Sequence, residues 1–173
     1  MPGHGFCLPG RPSSALWRAG RWLADPGNRL TAAKVLSAPQ HLGVASEVID
    51  PSLSRRIILG PDGAKGFADR FLTFHDGGAN FPWRSRAAWI GAGLAGRLGL
   101  DPDAAQSKAR AVFRSDLYRL QLAGTGAALP RASDKAEGVL MQAKLVPGRH
   151  GRLTLMRNRF FDGAVFDPVA LPR

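Results

Sequence analysis

Strand-like runs in this sequence are few, short and far apart, and no other feature limits the fold as much. Residues 55–59 (Arg-Arg-Ile-Ile-Leu) run into the turn-forming Gly60-Pro61-Asp62-Gly63, residues 71–74 read as a second short strand, and residues 152–155 as a third. Sheets ordinarily use about four to six strands. Runs this scattered cannot make a sheet alone, so the chain is expected to be mainly helical, with a few short strands and an irregular tail beyond Pro130.

Helical periodicity fills most of the remainder. Ser13 or Ser14 can cap a helix with Leu16, Ala19, Gly20 and Leu23 on one face and Arg18 and Arg21 turned away, and Asp25-Pro26-Gly27 stops it. A second helix fits residues 29–37, with Leu30, Ala33 and Leu36 as its stripe, and residues 44–49 add another turn or two. Gly77-Gly78 and Pro82 make residues 75–84 a loop. From Ser85 a longer helix carries Ala87, Ile90, Leu94 and Leu98 on one face and ends at Gly99. Asp101-Pro102 opens the next, with Ala105, Ala109, Val112 and Phe113 as its buried stripe. Ser115 caps a third, bearing Leu117, Tyr118 and Leu122, which closes at Gly124–Gly126. Apolar faces such as Leu16/Ala19/Leu23 must bury against something, and the strands here are too few to cover them, which points to partner sequence outside the chain.

The charge balance is the unusual term in an otherwise globular composition. Lys and Arg number 24 against 13 Asp and Glu, a net charge of +11 carried mostly by arginines that punctuate Ala/Gly-rich segments. Such a field attracts polyanions without selectivity. Nucleic-acid modules instead gather their cations on one face or interleave them with aromatics, and no zinc-finger spacing, RNP-like motif or basic helix occurs here, so no specific nucleic-acid partner is expected. The single Cys7 cannot form an internal disulfide. Residues 1–14 lack the basic start and apolar stretch of a secretory signal, and the longest weakly polar run, residues 87–96, is about half a membrane span. As written the chain is expected to be cytoplasmic and to have no transmembrane segment.

Gly91, Gly93 and Gly96 satisfy the dinucleotide fingerprint, with Asp116 at 20 residues beyond. That fingerprint needs a strand directly before the glycines. Residues 84–90 read as helix already under way, so close packing along Ala88, Ala92 and Gly96 is the preferred reading. His4, His41, His75 and His150 lie far apart, with only His4 and Cys7 at metal spacing. No nucleophile elbow occurs, and Asp162 and Asp167 flank a turn at Gly163. No enzyme, metal or cofactor is expected. Two aromatic clusters, residues 80–85 and 160–168, read as loops pinned to the core by their rings.

Those clusters also carry a resemblance. The runs ANFPWRS from Ala79, RSDLY from Arg114, SDKAEG from Ser133 and FFDGAVFDP from Phe160 resemble the carboxyl-terminal signature of the nitrate- and bicarbonate-binding proteins of ABC transporters. Relatives in that family include cytoplasmic sensors that control nitrate-assimilation genes. Residues 15–54, with ALWRAGRWLADPGNR and APQHLGV, are similar to the helices preceding the signature, so the likeness spans about residues 15–168. It implies an α/β parent fold of the type II periplasmic-binding kind, in which two lobes close over a small oxyanion. Residues 14–173 would then be the incomplete carboxyl-terminal portion of such a protein, behind an unmatched leader, residues 1–13.

The implied ligand is nitrate or a similar oxyanion, held without covalent chemistry. The implied partner is an ABC permease or, in the sensor branch, a regulatory protein. A periplasmic location follows where a signal-bearing portion precedes. Ligand-contacting residues of the family lie mostly upstream, so none is assigned here. The signature residues are expected to serve as scaffold: Asn80, Phe81, Pro82, Trp83 and Arg84; Arg114, Asp116 and Tyr118; Lys135, Glu137 and Gly138; Phe160, Phe161, Asp162, Gly163, Phe166 and Asp167. Trp83 and the FFDG aromatics are the expected packing anchors, and Arg84 and Arg114 the candidates for bridging to carboxylates or backbone carbonyls. Two departures stand out: Ser115, where Pro is common, and the flexible lead-in His75-Asp76-Gly77-Gly78. The basic stretch RHGRLTL before FFDG is similar to the sensor branch.

Overall fold

A computed structural model describes residues 11–68 and 71–168. The described chain divides into two compact units near Ala79, one of Ala15–Ala79 and one from Asn80 onward.

In the first unit, helix α1 runs Arg11–Ala24, with Pro12 in its first turn where its missing N–H costs nothing. Residues 11–13 of the expected leader are thus helix, and the rest of it, with His4 and Cys7, lies outside the described residues. Trp17 and Gly20 form the buried face of α1, while Leu16 and Ala19 are exposed. The two candidate faces differ by one residue of rotation, and the larger ring of Trp17 wins the interior. It meets the His75 ring edge-on at 5.5 Å. Asp25 stops α1 and accepts from the Gly27 N–H at 2.9 Å, starting a single 3-10 turn, Pro26–Asn28.

Helix α2, Arg29–Ser37, has the expected bounds and part of the expected stripe, since Ala33 and Leu36 reach the core and Leu30 does not. Arg29, Ala32 and Ala33 face inward and Leu30 is exposed. Ala32 and Ala33 pack with Leu53 of helix α3, Ser46–Leu53, and with Leu23, Leu36, Ile49, Leu72 and Phe74. Small residues on α2 let its neighbours close in, and that selects the face. Strand β1, Arg56–Ile58, pairs antiparallel with β2, Lys65–Phe67, across the predicted turn. The strand expected at 71–74 does not form, because the tight turn returns the chain at once onto β1, and Leu72 and Phe74 serve the core instead.

In the second unit, helix α4 runs Arg84–Leu98 and ends at Gly99, whose φ of 65° is the left-handed cap that glycine takes without strain. Asp101 caps helix α5, Pro102–Val112, accepting from the Asp103 N–H at 3.0 Å. The packing face of α4 is Ser85, Ala87, Ala88, Gly91 and Ala95, whereas Ile90, Leu94 and Leu98 are exposed, as is Val112 on α5. Close approach decides this too. A methyl group at Gly91 would stand 2.8 Å from both the Ala105 carbonyl oxygen and the Ala109 Cβ, so the helices meet where only glycine fits. Gly96 lies in open space and is not part of the seam.

Helix α6, Ser115–Gln121, includes Ser115 as its first residue, with Arg114 in the cap position. The tail after Pro130 is more ordered than expected. Strand β3, Lys144–Pro147, pairs antiparallel with β4, Arg152–Leu155, in the register Lys144↔Leu155 to Pro147↔Arg152. Leu153 and Leu155 of β4 face inward and alternate with exposed Arg152 and Thr154, as a half-buried strand requires. Among the described residues, no helix is long and apolar enough to cross a membrane.

Candidate functional site

The loop entering α4, the segment 130–138 and the 158–166 region converge in the second unit on one aromatic and polar network. Phe81 and Trp83 are buried with Leu153 and Leu155, and Tyr118, Leu140 and Val146 pack against them. Phe81 meets Trp83 edge-on at 4.8 Å and Tyr118 at 5.7 Å, the geometry that ring quadrupoles favour. Burial raises the Tyr118 pKa above its ordinary value.

Two polar hubs flank these rings. At the first, Glu137, 4% exposed, accepts from the Ser85 hydroxyl at 2.8 Å, from the Asn158 amide at 3.3 Å and from the Lys135 ammonium. Burial lowers the Lys135 pKa and its hydrogen bond to Glu137 opposes that. The ammonium also lies 5.5 Å from the Trp83 ring centroid. Asn158 accepts from the Leu140 N–H at 2.9 Å, and the Glu137 backbone exchanges hydrogen bonds with Phe166 at 2.8 and 2.9 Å. One carboxylate thus ties α4, the 135–140 segment and the 158–166 region together.

At the second hub, the Arg119 guanidinium lies 4.8 Å from the Phe81 ring centroid. It donates to the Pro130 carbonyl at 2.8 Å, the Arg131 carbonyl at 3.0 Å, the Ala132 carbonyl and the Ser133 hydroxyl at 2.9 Å. Desolvation lowers the Arg119 pKa, as does repulsion from Arg149 and Arg84, while Asp116 opposes this. Ser115, which stands where the family often has Pro, is fully buried and donates to the Ser133 hydroxyl at 2.8 Å. At the surface, Arg114 grips Asp116 with two nitrogens, at 2.9 and 2.6 Å, and Arg84 approaches the same carboxylate at 3.7 Å. The hydrogen bond from Arg114 holds the Asp116 carboxyl well below the usual carboxylate range, although desolvation opposes it, and Asp116 in turn raises the Arg114 pKa.

The structure brings Phe81, Trp83, Tyr118, Lys135, Glu137, Gly138, Phe160 and Phe166 into this assembly. Gly138, at φ 88°, is required, since a Cβ there would stand 2.3 Å from the Ala164 carbonyl oxygen and 2.9 Å from the Phe160 ring. Phe160 stacks on Trp89 at 4.8 Å. Phe161 is not the expected anchor: its ring is fully exposed at the tip of a turn that Asp162 and Gly163 hold through the Ala164 and Gly163 N–H groups. The stacked Phe160 takes the inward position, and adjacent residues of a tight turn cannot share it. Pro82 is partly buried, while Asn80 and Asp167 lie at the surface.

Sequence reasoning passed over Arg119, Asn158 and Trp89. An Arg three to four residues after a buried helix position, in the run SDLYRL, was a usable signal for Arg119. Nothing in the sequence marked Asn158. The polar groups of both hubs are spent on one another and on the backbone, so the arrangement clamps three segments together. Gly91 is preceded by about two turns of α4 rather than by a strand, which removes the context a dinucleotide fingerprint needs. Among the described residues, no group of three or more His, Cys, Asp or Glu could hold a metal ion.

No family model matches the sequence. No solved structure matches it. Over 115 residues the chain is 33% identical to the nitrate import ATP-binding protein NrtC of Synechococcus elongatus, a match covering 65% of this chain and 17% of that protein. The chain therefore spans about a sixth of the curated relative's length. Its sequence contains no Gly-Lys-Ser or Gly-Lys-Thr, so the phosphate-cradling P-loop of nucleotide-binding proteins is not part of the shared segment. The similarity connects the chain with a protein of nitrate import, and not specifically with the substrate-binding branch of such systems.

Proposed function

We propose that this chain is the carboxyl-terminal part of a two-lobed substrate-binding protein for nitrate or a similar small oxyanion, working with an ABC permease. The observation that carries the reading is the 115-residue similarity to a nitrate import protein in a chain without a P-loop. A segment shared with an ATP-binding component but lacking the nucleotide motif is more economically a substrate-side module than a catalytic one. The signature runs add support, because Ser85 and Glu137, from two runs and 52 residues apart, meet in one buried hydrogen bond. In this reading the α/β lobes of a type II periplasmic-binding fold are completed by other sequence. The signal is hinge closure around the bound anion, and the clamp residues of the second unit are scaffold. A cytoplasmic sensor that reports nitrate to a regulatory protein is the alternative, favoured by the basic RHGRLTL stretch.

The test is deletion of the coding region in its host, followed at limiting nitrate. Loss of nitrate uptake, with growth on ammonium unchanged, is the expected outcome. Intact uptake with lost induction of nitrate-assimilation genes would select the sensor. Intact uptake together with intact induction would sink the proposal.

A further inference from the structure

The geometry points to Arg29 as a binding group for a planar oxygen anion, a site distinct from the clamp in the second unit. Arg29 is the first residue of α2, and it is only 7% exposed. It lies on the same helix face as Ala32 and Ala33, which belong to the core of the first unit. Its Nε is shut off from solvent and has no hydrogen-bond partner among the described residues, nor does an ion pair engage the side chain among them.

The guanidinium stays charged, and of its nitrogens Nε is the one both buried and without an acceptor, a donor left unpaired at a cost that a bound oxygen would remove. Among the described residues no carboxylate pairs with Arg29: Asp25, the acid nearest in sequence, accepts from the Gly27 N–H. The local field has the same sign. Side chains on a helix lean toward its amino terminus, so the Arg29 side chain is directed to the positive end of α2. That end has no acidic residue in its first turn, and its cap residue, Asn28, makes no capping bond but donates to the Trp22 carbonyl at 2.9 Å. Helix dipole and guanidinium therefore both favour negative charge at one corner. The planar fork of donors suits an anion with two coplanar oxygens, as in nitrate or a carboxylate. Such a group has two sources, a free inorganic oxyanion or the side-chain carboxylate of another polypeptide segment.

The experiment is thermal unfolding of the full chain in sodium nitrate, sodium acetate and sodium chloride at matched ionic strength, beside the Arg29→Met variant. The wild-type midpoint should rise by about 5 °C over chloride at an anion concentration about a hundredfold above Kd, and the variant should show no such difference. A rise with nitrate alone assigns the site to a free oxyanion. A rise with acetate, alone or as well, assigns it to a carboxylate. Equal shifts in both proteins, or no shift beyond chloride in the wild type, overturn the proposal. If the Met variant does not fold, the Arg29 Nε–H resonance of the wild type decides: saturable movement through the same titrations supports the site, and a fixed position refutes it. The readout is anion binding by the chain alone, so it stands or falls independently of the uptake phenotype.

Discussion

At the scale of single residues, Glu137 illustrates how a buried carboxylate is made tolerable and why its loss is costly. It is compensated by an ammonium, a hydroxyl and an amide, all donors. Glu137→Ala strips Lys135 of its ion-pair partner in a buried position and should cost about 3 kcal/mol in urea denaturation. The Lys135→Ala/Glu137→Ala double variant should cost clearly less than the two single losses added. Strict additivity would show that the pair is not coupled. Asp116 is the exposed contrast. Its folded pKa lies below its ordinary value of 3.8, so its contribution to stability is in place above that pH and vanishes as pH falls through the folded value. Solvent keeps that contribution small, but the shift itself is measurable. In Arg114→Ala the Asp116 carboxyl, followed by NMR, should titrate closer to 3.8, and an unmoved midpoint would mean that Arg114 is not its cause. Reading residues from the sequence succeeded where chemistry is local to a motif: Phe81, Trp83 and Glu137 sit in quoted runs and belong to the network. It failed for Asn158, whose role comes from a contact across 21 residues of chain with Glu137, and for Phe161, because which of two adjacent rings turns inward depends on Trp89 across the fold.

At the scale of elements, some helix ends were legible and helix faces only in part. Ser13 and Ser14, expected as caps, lie inside α1, and Ser115 is the first residue of α6 rather than its cap. Caps are set by one or two residues with fixed dihedral needs, and Asp25, Gly99 and Asp101 act where expected. Faces are chosen by the partner surface. On α1, α2 and α4 the interior took Trp17, Ala32 and Gly91, while Leu16, Leu30 and Leu94 of the expected stripes are exposed. A stripe of small residues carries little hydrophobic signal, yet it permits the closest approach of backbones. Strand β2 escaped notice for a related reason: Lys65-Gly66-Phe67 has no β-branched residue, and its strand state is imposed by the turn that folds it onto β1. Gly91 and Gly93 turn this into an expectation. Gly91→Ala drives a methyl into the Ala105 carbonyl and should lose about 1–3 kcal/mol. Gly93→Ala meets nothing within 4 Å and should gain up to about 1 kcal/mol from helix propensity. Equal effects at the two positions, measured by chemical denaturation, would contradict the α4–α5 seam, whereas the dinucleotide pattern alone offers no reason for them to differ.

At the scale of the whole molecule two terms oppose each other, and salt separates them. Net charge of +11 keeps copies apart, while exposed apolar side chains, among them Leu16, Leu30, Leu98, Val112 and Phe161, favour association. Repulsion acts over a Debye length of about 30 Å at 0.01 M salt and about 3 Å at 1 M, whereas apolar contact survives and is strengthened by excluded salts. Sedimentation velocity should therefore find separate chains at low ionic strength and growing association as sodium sulfate is added. Binding to duplex DNA would respond in the opposite sense, because each neutralised phosphate contributes about −0.9 to the slope of log K against log salt. The same salt series thus discriminates between two readings of the basic charge. Association that rises with salt, beside duplex binding that fades away, identifies the apolar faces as the surfaces that require cover and the charge as a solubilising field. Chains that remain separate at every ionic strength, with duplex binding persisting at physiological salt, would show that the arginines form an organised polyanion surface and that a nucleic acid is the partner to pursue.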